Sequence, residues 1–217
     1  MKTDDLIAML ATNAGPAAEP LRPGAMPRFT QALGWGAFGA TLLMALLLGV
    51  RPDIAAAAKT PMFWVKLAFP LSLSWLALLA VTRLARPGVP LGRLPLALAA
   101  PVAVIWLMAL AQLAGASDAA TREELLYGDS WAECPLNIAT LSVPMFVGAF
   151  WALRALAPVQ PMLAGATAGL LAGAVAASAY ALHCPEMAPP FLAIWYVAGI
   201  LIPAAVGSLI APKLLRW

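Results

Sequence analysis

Leu94-Pro95-Leu96-Ala97-Leu98-Ala99-Ala100-Pro101-Val102-Ala103-Val104-Ile105-Trp106-Leu107-Met108-Ala109-Leu110-Ala111-Gln112-Leu113-Ala114 carries no charged side chain. About 20 apolar residues in one α-helix cover the hydrocarbon core of a bilayer. Comparable runs lie at 31–50, 62–82, 134–153, 162–183 and 190–210. The chain of 217 residues is 63% hydrophobic and 11% charged, with a mean hydropathy of +0.86. A soluble domain is nearer 45–50% apolar and about 25% charged. No water-soluble core could hide this surplus. The pattern predicts an all-α, polytopic membrane protein: a bundle of six transmembrane helices over 31–217, preceded by residues 1–30. No signal peptide is visible ahead of the first run, so the N-terminus is expected to be retained.

Residues 1–12 read as a short amphipathic helix. Thr3 is the expected N-cap, with Asp4 and Asp5 in the first turn, where the helix dipole favours negative charge. Leu6, Ile7, Met9 and Leu10 follow at i,i+3 and i,i+4 spacing and form an apolar face. Pro16, Pro20, Pro23 and Pro27 mark the stretch after it as an extended linker. Two uses fit such a tethered helix: docking to a partner, or resting on its own membrane surface or loops.

Basic residues set the orientation. The N-terminus, the 83–93 and 154–161 loops and the C-terminal tail hold Lys2, Arg22, Arg28, Arg83, Arg86, Arg93, Arg154, Lys213 and Arg216; the opposite side holds Arg51, Lys59 and Arg122. By the positive-inside rule both termini are expected to be cytoplasmic. That places both cysteines, Cys134 and Cys184, at the outer face, which in a bacterium is the periplasm, where disulfides can persist.

Each cysteine precedes a proline, in Glu133-Cys134-Pro135 and in His183-Cys184-Pro185-Glu186. Four readings fit the pair: a structural disulfide, a switchable disulfide, a metal site, or two unrelated buried thiols. Cys134 is expected near the N-cap of the fourth span and Cys184 at the C-terminal end of the fifth. The dipole makes Cys134 the expected more reactive thiol. His183, with Glu133 or Glu186, could complete a set of ligands for a thiophilic metal; otherwise it is an interfacial histidine. Lys66 is the one charge inside a span. It is expected to snorkel to the outer surface, with a contact to Glu133 as the sharper alternative. The Thr121-x-x-Glu124 pattern predicts a capping box on a short interfacial helix that could cover the cysteines. No Asp or Glu lies deep in a span, which argues against an ion-coupled transporter. No nucleotide or hydrolase motif appears.

Taken together, Met1-Lys2-Thr3-Asp4-Asp5-Leu6-Ile7, Phe63-Trp64-Val65-Lys66 with Pro70-Leu71, Glu133-Cys134-Pro135, His183-Cys184-Pro185-Glu186 with Pro190-Phe191, and Arg216-Trp217 resemble the NrsF family. These are six-span inner-membrane anti-sigma factors that restrain sigma-F-like extracytoplasmic-function sigma factors. The resemblance extends over essentially the whole chain. It implies that the cytoplasmic segment bearing Asp4, Asp5, Leu6, Ile7, Met9 and Leu10 holds the sigma factor at the membrane. It implies that Cys134 and Cys184 sense metal or oxidative stress and cause its release. No enzymatic activity, resident cofactor or direct nucleic-acid contact is implied; the expected partners are the sigma factor and membrane lipid, with transient heavy-metal binding at the cysteines. A membrane thiol oxidoreductase and a heavy-metal permease are the competing readings of the same thiols. The lack of C-x-x-C opposes the first, and nothing in the spans favours the second.

Overall fold

The computed structural model describes residues 3–12, 25–86, 88–154, 156 and 158–215, with 10–12 and 25–29 described by backbone only. Among these the regular structure is helical throughout. In chain order the helices are α1 (Thr3–Thr12), α2 (Ala25–Leu47), α3 (Ile54–Ala57), α4 (Pro61–Leu84), α5 (Leu94–Gly115), α6 (Ala119–Tyr127), α7 (Cys134–Leu141), α8 (Val143–Arg154) and α9 (Pro161–Tyr180), followed by a last span, Pro189–Leu214. Five helices are long and apolar enough to cross a membrane, and α7 with α8 makes a sixth if that bent pair is one span. The six-span expectation stands in this form.

The boundaries shift for physical reasons. α2 begins at Ala25, since Pro27 falls in the first helical turn, where a missing N–H costs nothing, and its apolar span, Thr30–Leu47, opens near 31 as expected. Of the linker expected over 15–27, residues 15–24 lie outside the described residues and 25–27 are helical. Thr3 is already helical, so the α1 cap position also falls outside them. The fourth span breaks by 42° between α7 and α8. Pro144 cannot donate to the carbonyl four residues back, and the buried Ser142 hydroxyl donates to the Ala139 carbonyl at 2.6 Å. Pro70, in contrast, sits within a helix that runs unbroken from Pro61 to Leu84.

The middle of the bundle is α9, which packs on α4, α8 and the last span. Its sequence is dominated by alanine and glycine, and small residues let helix backbones approach closely in lipid. Gly165, Gly169 and Gly173 recur every four residues and so form one stripe. A Cβ on Gly165 would run into Ala211 and the Gly207 carbonyl; one on Gly169 would strike the Pro203 carbonyl; one on Gly173 would lie 2.7 Å from the Ile200 oxygen. The same device joins α2 to α8, where a Cβ on Gly148 would lie 2.8 Å from the Ala32 oxygen. Two buried clusters result. One gathers Cys134, Ile138, Tyr180, Cys184, Phe191 and Tyr196. The other gathers Leu33, Val81, Phe150, Leu153, Ala168 and Leu215. We call these the thiol end and the basic end. Outward-facing side chains such as Trp35, Leu46, Trp75, Leu96, Leu107 and Trp151 are exposed and apolar, as expected of a surface that meets hydrocarbon rather than water.

Overpacking of a tight contact typically costs 1–3 kcal/mol. Gly169→Ala is therefore expected to destabilise the bundle by about 2 kcal/mol. Gly34→Ala, with open space at its Cβ, should be neutral or slightly stabilising. Unfolding of the two variants in the same detergent, followed by circular dichroism, provides the comparison.

Candidate functional site at the thiol end

α9 ends at Tyr180, and the chain turns through Ala181, Leu182, His183 and Cys184 before the last span starts at Pro189. The Cys184 N–H still donates to the Tyr180 carbonyl at 3.0 Å. Pro185 then bars further helix by restricting the residue before it. The carbonyls that follow the helix need donors, and cationic side chains provide them.

Lys66, on the second turn of α4, is fully buried. Its Nζ donates to the Cys184 carbonyl at 2.6 Å and to the Glu186 carbonyl at 2.7 Å, and lies 5.6 Å from the centre of the Tyr196 ring. This overturns the expected snorkelling. The side chain points inward because two backbone acceptors stand within its reach, and charge-assisted bonds are about twice as strong as neutral ones. The alternative contact to Glu133 is not made either; that carboxylate side chain is exposed.

Arg51 approaches the same turn from the loop after α2. Its backbone N–H donates to the Leu182 carbonyl at 3.1 Å. Its Nη1 reaches the carbonyls of Cys184 at 3.3 Å and Pro185 at 3.4 Å. Its Nε and Nη2 grip the Asp53 carboxylate, each at 2.6 Å. That pairing holds the Asp53 carboxyl below its usual range and raises the already high value of Arg51. His183 adds a further tie. Its Nδ1 lies 2.9 Å from the Gly49 carbonyl, an acceptor only, so Nδ1 carries the proton. Gly49 can present that carbonyl because its φ of 75° is open to glycine. The His183-Cys184-Pro185-Glu186 turn is thus bound on one side by the 49–51 loop and on the other by α4.

The Glu186 side chain faces α6. Its Oε1 accepts from the Asp129 N–H at 3.0 Å, and its carboxylate occupies the space where a Cβ on Gly128 would sit. Gly128 has φ 53°, which lets the chain reverse there. The Trp195 indole N–H donates to the Leu126 carbonyl at 2.8 Å, and Tyr127, Trp131 and Trp195 pack with ring centres 5.2–6.2 Å apart. The α6 cap differs from the expected box. The Asp118 side chain accepts from the Thr121 N–H at 2.7 Å, so Asp118 is the N-cap and Thr121 the third helical residue. This bond holds the exposed Asp118 carboxyl below its usual range, so the cap is present above the ordinary Asp value and is lost as pH falls through the lowered one.

Both thiols lie under this cover. Cys134 is the first residue of α7 and Cys184 sits in the turn; both are free and fully buried in one cluster with Tyr180 and Tyr196. The Lys66 Nζ bonds to the backbone of one of them, Cys184. The described residues contain no group of three His, Cys, Asp or Glu side chains placed to hold a metal ion. Instead of facing the thiols as ligands, His183 turns to Gly49 and Glu186 to α6. At the other end of the chain, Leu6, Ile7 and Met9 are exposed along α1; the Leu10 side chain lies outside the described residues.

Sequence reasoning singled out Cys134, Cys184, His183, Glu186 and Lys66 and missed Arg51, Trp195 and Tyr196. Arg51 carried a readable signal: it is one of three basic residues on the side expected to be depleted of them. Tyr196 and Trp195 carried none, since aromatic residues in a span are ordinary.

A neutral hydrogen bond contributes about 1 kcal/mol, or about fivefold in an opening equilibrium. Trp195→Phe and Glu186→Ala are each expected to raise hydrogen exchange across residues 119–131 by about fivefold or more. Protection within α9 should stay unchanged.

No solved structure matches this chain. The NrsF family model, described as negative regulator of sigma F, matches residues 10–217. The chain is 52% identical to the probable anti-sigma-F factor NrsF of Azospira oryzae over 217 residues, covering all of both chains. It is 41% identical to the anti-sigma-F factor NrsF of Caulobacter vibrioides over 218 residues, again covering all of both. Both relatives are regulators rather than enzymes by name, and the two alignments include α1, most of which the family model leaves out. By the extent of these matches, the chain belongs to the NrsF family of negative regulators of sigma F.

Proposed function

We propose that this protein is an anti-sigma factor that holds a sigma-F-like extracytoplasmic-function sigma factor at the bacterial inner membrane. It releases that partner when Cys134 and Cys184 react with a heavy-metal ion or an oxidant at the periplasmic face. The full-length match to the NrsF family is the observation that carries the first half. The second half is supported by two buried thiols in one cluster, set at the end of the bundle away from Arg83, Arg86, Arg93, Arg154 and Lys213. That arrangement has both termini cytoplasmic by the positive-inside rule.

The sigma-binding element is α1, through Asp4, Asp5, Leu6, Ile7, Met9 and Leu10. Leu6 and Ile7 are 41% and 59% exposed, and an exposed apolar helical face suits a groove on a partner. The input acts at the other end. A metal bound by both thiolates, or a disulfide between them, would draw α7 and the 182–186 turn together and bias the bundle toward a second packing. Such an event shifts the equilibrium only by its differential affinity for the two states.

Deleting residues 1–12 is expected to abolish co-purification of the sigma factor. Leu6→Asp should weaken it at least tenfold, since a buried apolar anchor typically contributes 2 kcal/mol or more. Cys134→Ser or Cys184→Ser should leave binding intact and block stress-induced release. A sigma factor that still co-purifies with the truncated chain would refute the assignment of α1. Release that persists in both serine variants would refute the sensing role.

A further inference from the structure

Lys66 is a buried ammonium with an unusual set of partners. Both of its hydrogen bonds go to backbone carbonyls, of Cys184 and Glu186. Among the described residues it forms no ion pair; the ion pair there is Arg51 with Asp53. A charge buried without a counter-ion costs several kcal/mol, and a neutral donor would satisfy the same carbonyls at lower cost. The Tyr196 ring lies 5.6 Å from Nζ, one bond goes to the Cys184 backbone, and both thiols are buried in the same cluster as Tyr196. The nearest cation, Arg51, is already neutralised by Asp53. A thiol walled in by apolar groups is inert, because the thiolate is the species that attacks oxidants and binds metals.

We propose that Lys66 is the counter-charge for thiolate formed at Cys134 and Cys184, and so the residue that allows two buried thiols to react. The inference rests on the reading of these cysteines as the sensing groups and adds the residue that activates them. When either thiol gives up its proton to water, a lone buried cation becomes a buried ion pair. The carbonyl bonds fix Nζ beside the 184–186 turn, so the charge is in place before the reaction begins. Lys66 is thus a positioning and charge-compensating residue and is not itself consumed.

The test uses the full chain in lipid nanodiscs, with one cysteine at a time replaced by serine. Methanethiosulfonates are the probes. The thiolate attacks the sulfenyl sulfur, an S–S bond forms, the S–SO2 bond breaks and methanesulfinate leaves with the electron pair. Lys66→Gln keeps a donor for the carbonyls and removes the charge; Lys66→Arg keeps both. The neutral methyl reagent is expected to react about tenfold more slowly with Lys66→Gln than with the native side chain. The ratio of the rate with the anionic sulfonatoethyl reagent to that with the cationic trimethylammonioethyl reagent should also fall about tenfold. Lys66→Arg should keep both quantities within about threefold of native. The ratio cancels changes in access, which alter both reagents alike. Unchanged rates in Lys66→Gln would overturn the proposal. So would slower reaction with an unchanged ratio, which would leave Lys66 as a carbonyl clasp alone. Neither measurement involves the sigma factor, so a failure here is distinct from a failure of the sensing reading.

Discussion

Close backbone approach between α9 and the last span is the constraint on which the other contacts depend. In hydrocarbon no hydrophobic effect drives helices together, and association relies on packing and a few polar bonds. The stripe of Gly165, Gly169 and Gly173 lets the last span lie against α9 with carbonyls where side chains would otherwise stand. That approach sets how tightly the chain must turn between residues 180 and 189. A tight turn leaves carbonyls pointing inward without intrahelical donors. Lys66 and Arg51 answer this need, and the thiol end takes its shape from them.

The turn in the last span extends the same logic. Leu192–Tyr196 adopts a π-helical turn directly after the Pro189-Pro190 start. Such single turns are rare and often mark functional sites. Here it carries Trp195, bonded to α6, and Tyr196, whose ring faces Lys66. The bond to α6 and the ring against Lys66 are therefore set by neighbouring residues of one irregular turn. α6 is held by three different kinds of contact: the Glu186 carboxylate, the Trp195 indole and the aromatic group with Tyr127 and Trp131.

Much of the fold was legible because lipid imposes length. Uncharged runs of about 20 residues mark spans with little ambiguity. The Ser142–Pro144 break was harder to read, since proline inside a span can be absorbed, as at Pro70, or bend the helix, and neighbours decide which. The candidate site was legible in its rare residues. Two cysteines, one histidine and one intraspan lysine stand out in a chain of alanine and leucine. Their bonding was not, because the partners of Lys66, Arg51 and Glu186 are backbone groups, and every residue has those. The snorkelling expectation for Lys66 failed on this point. It compared the membrane with water and had no means of counting carbonyls on a turn 118 residues away.

That separation has a consequence for how the protein is made. A chain synthesised from its N-terminus places α4 in the membrane long before residues 184–186 exist. During that interval the Lys66 ammonium has neither of its final acceptors, and the partners within reach are water and lipid headgroups at the nearer surface. Its move inward requires α9 and the turn after it, so the contact between Lys66 and Cys184 belongs to the last stage of assembly. A chain truncated before residue 184 would carry an unsatisfied cation in its second span. Completion of the final hairpin is what converts that residue from a liability of insertion into a fastening of the finished bundle.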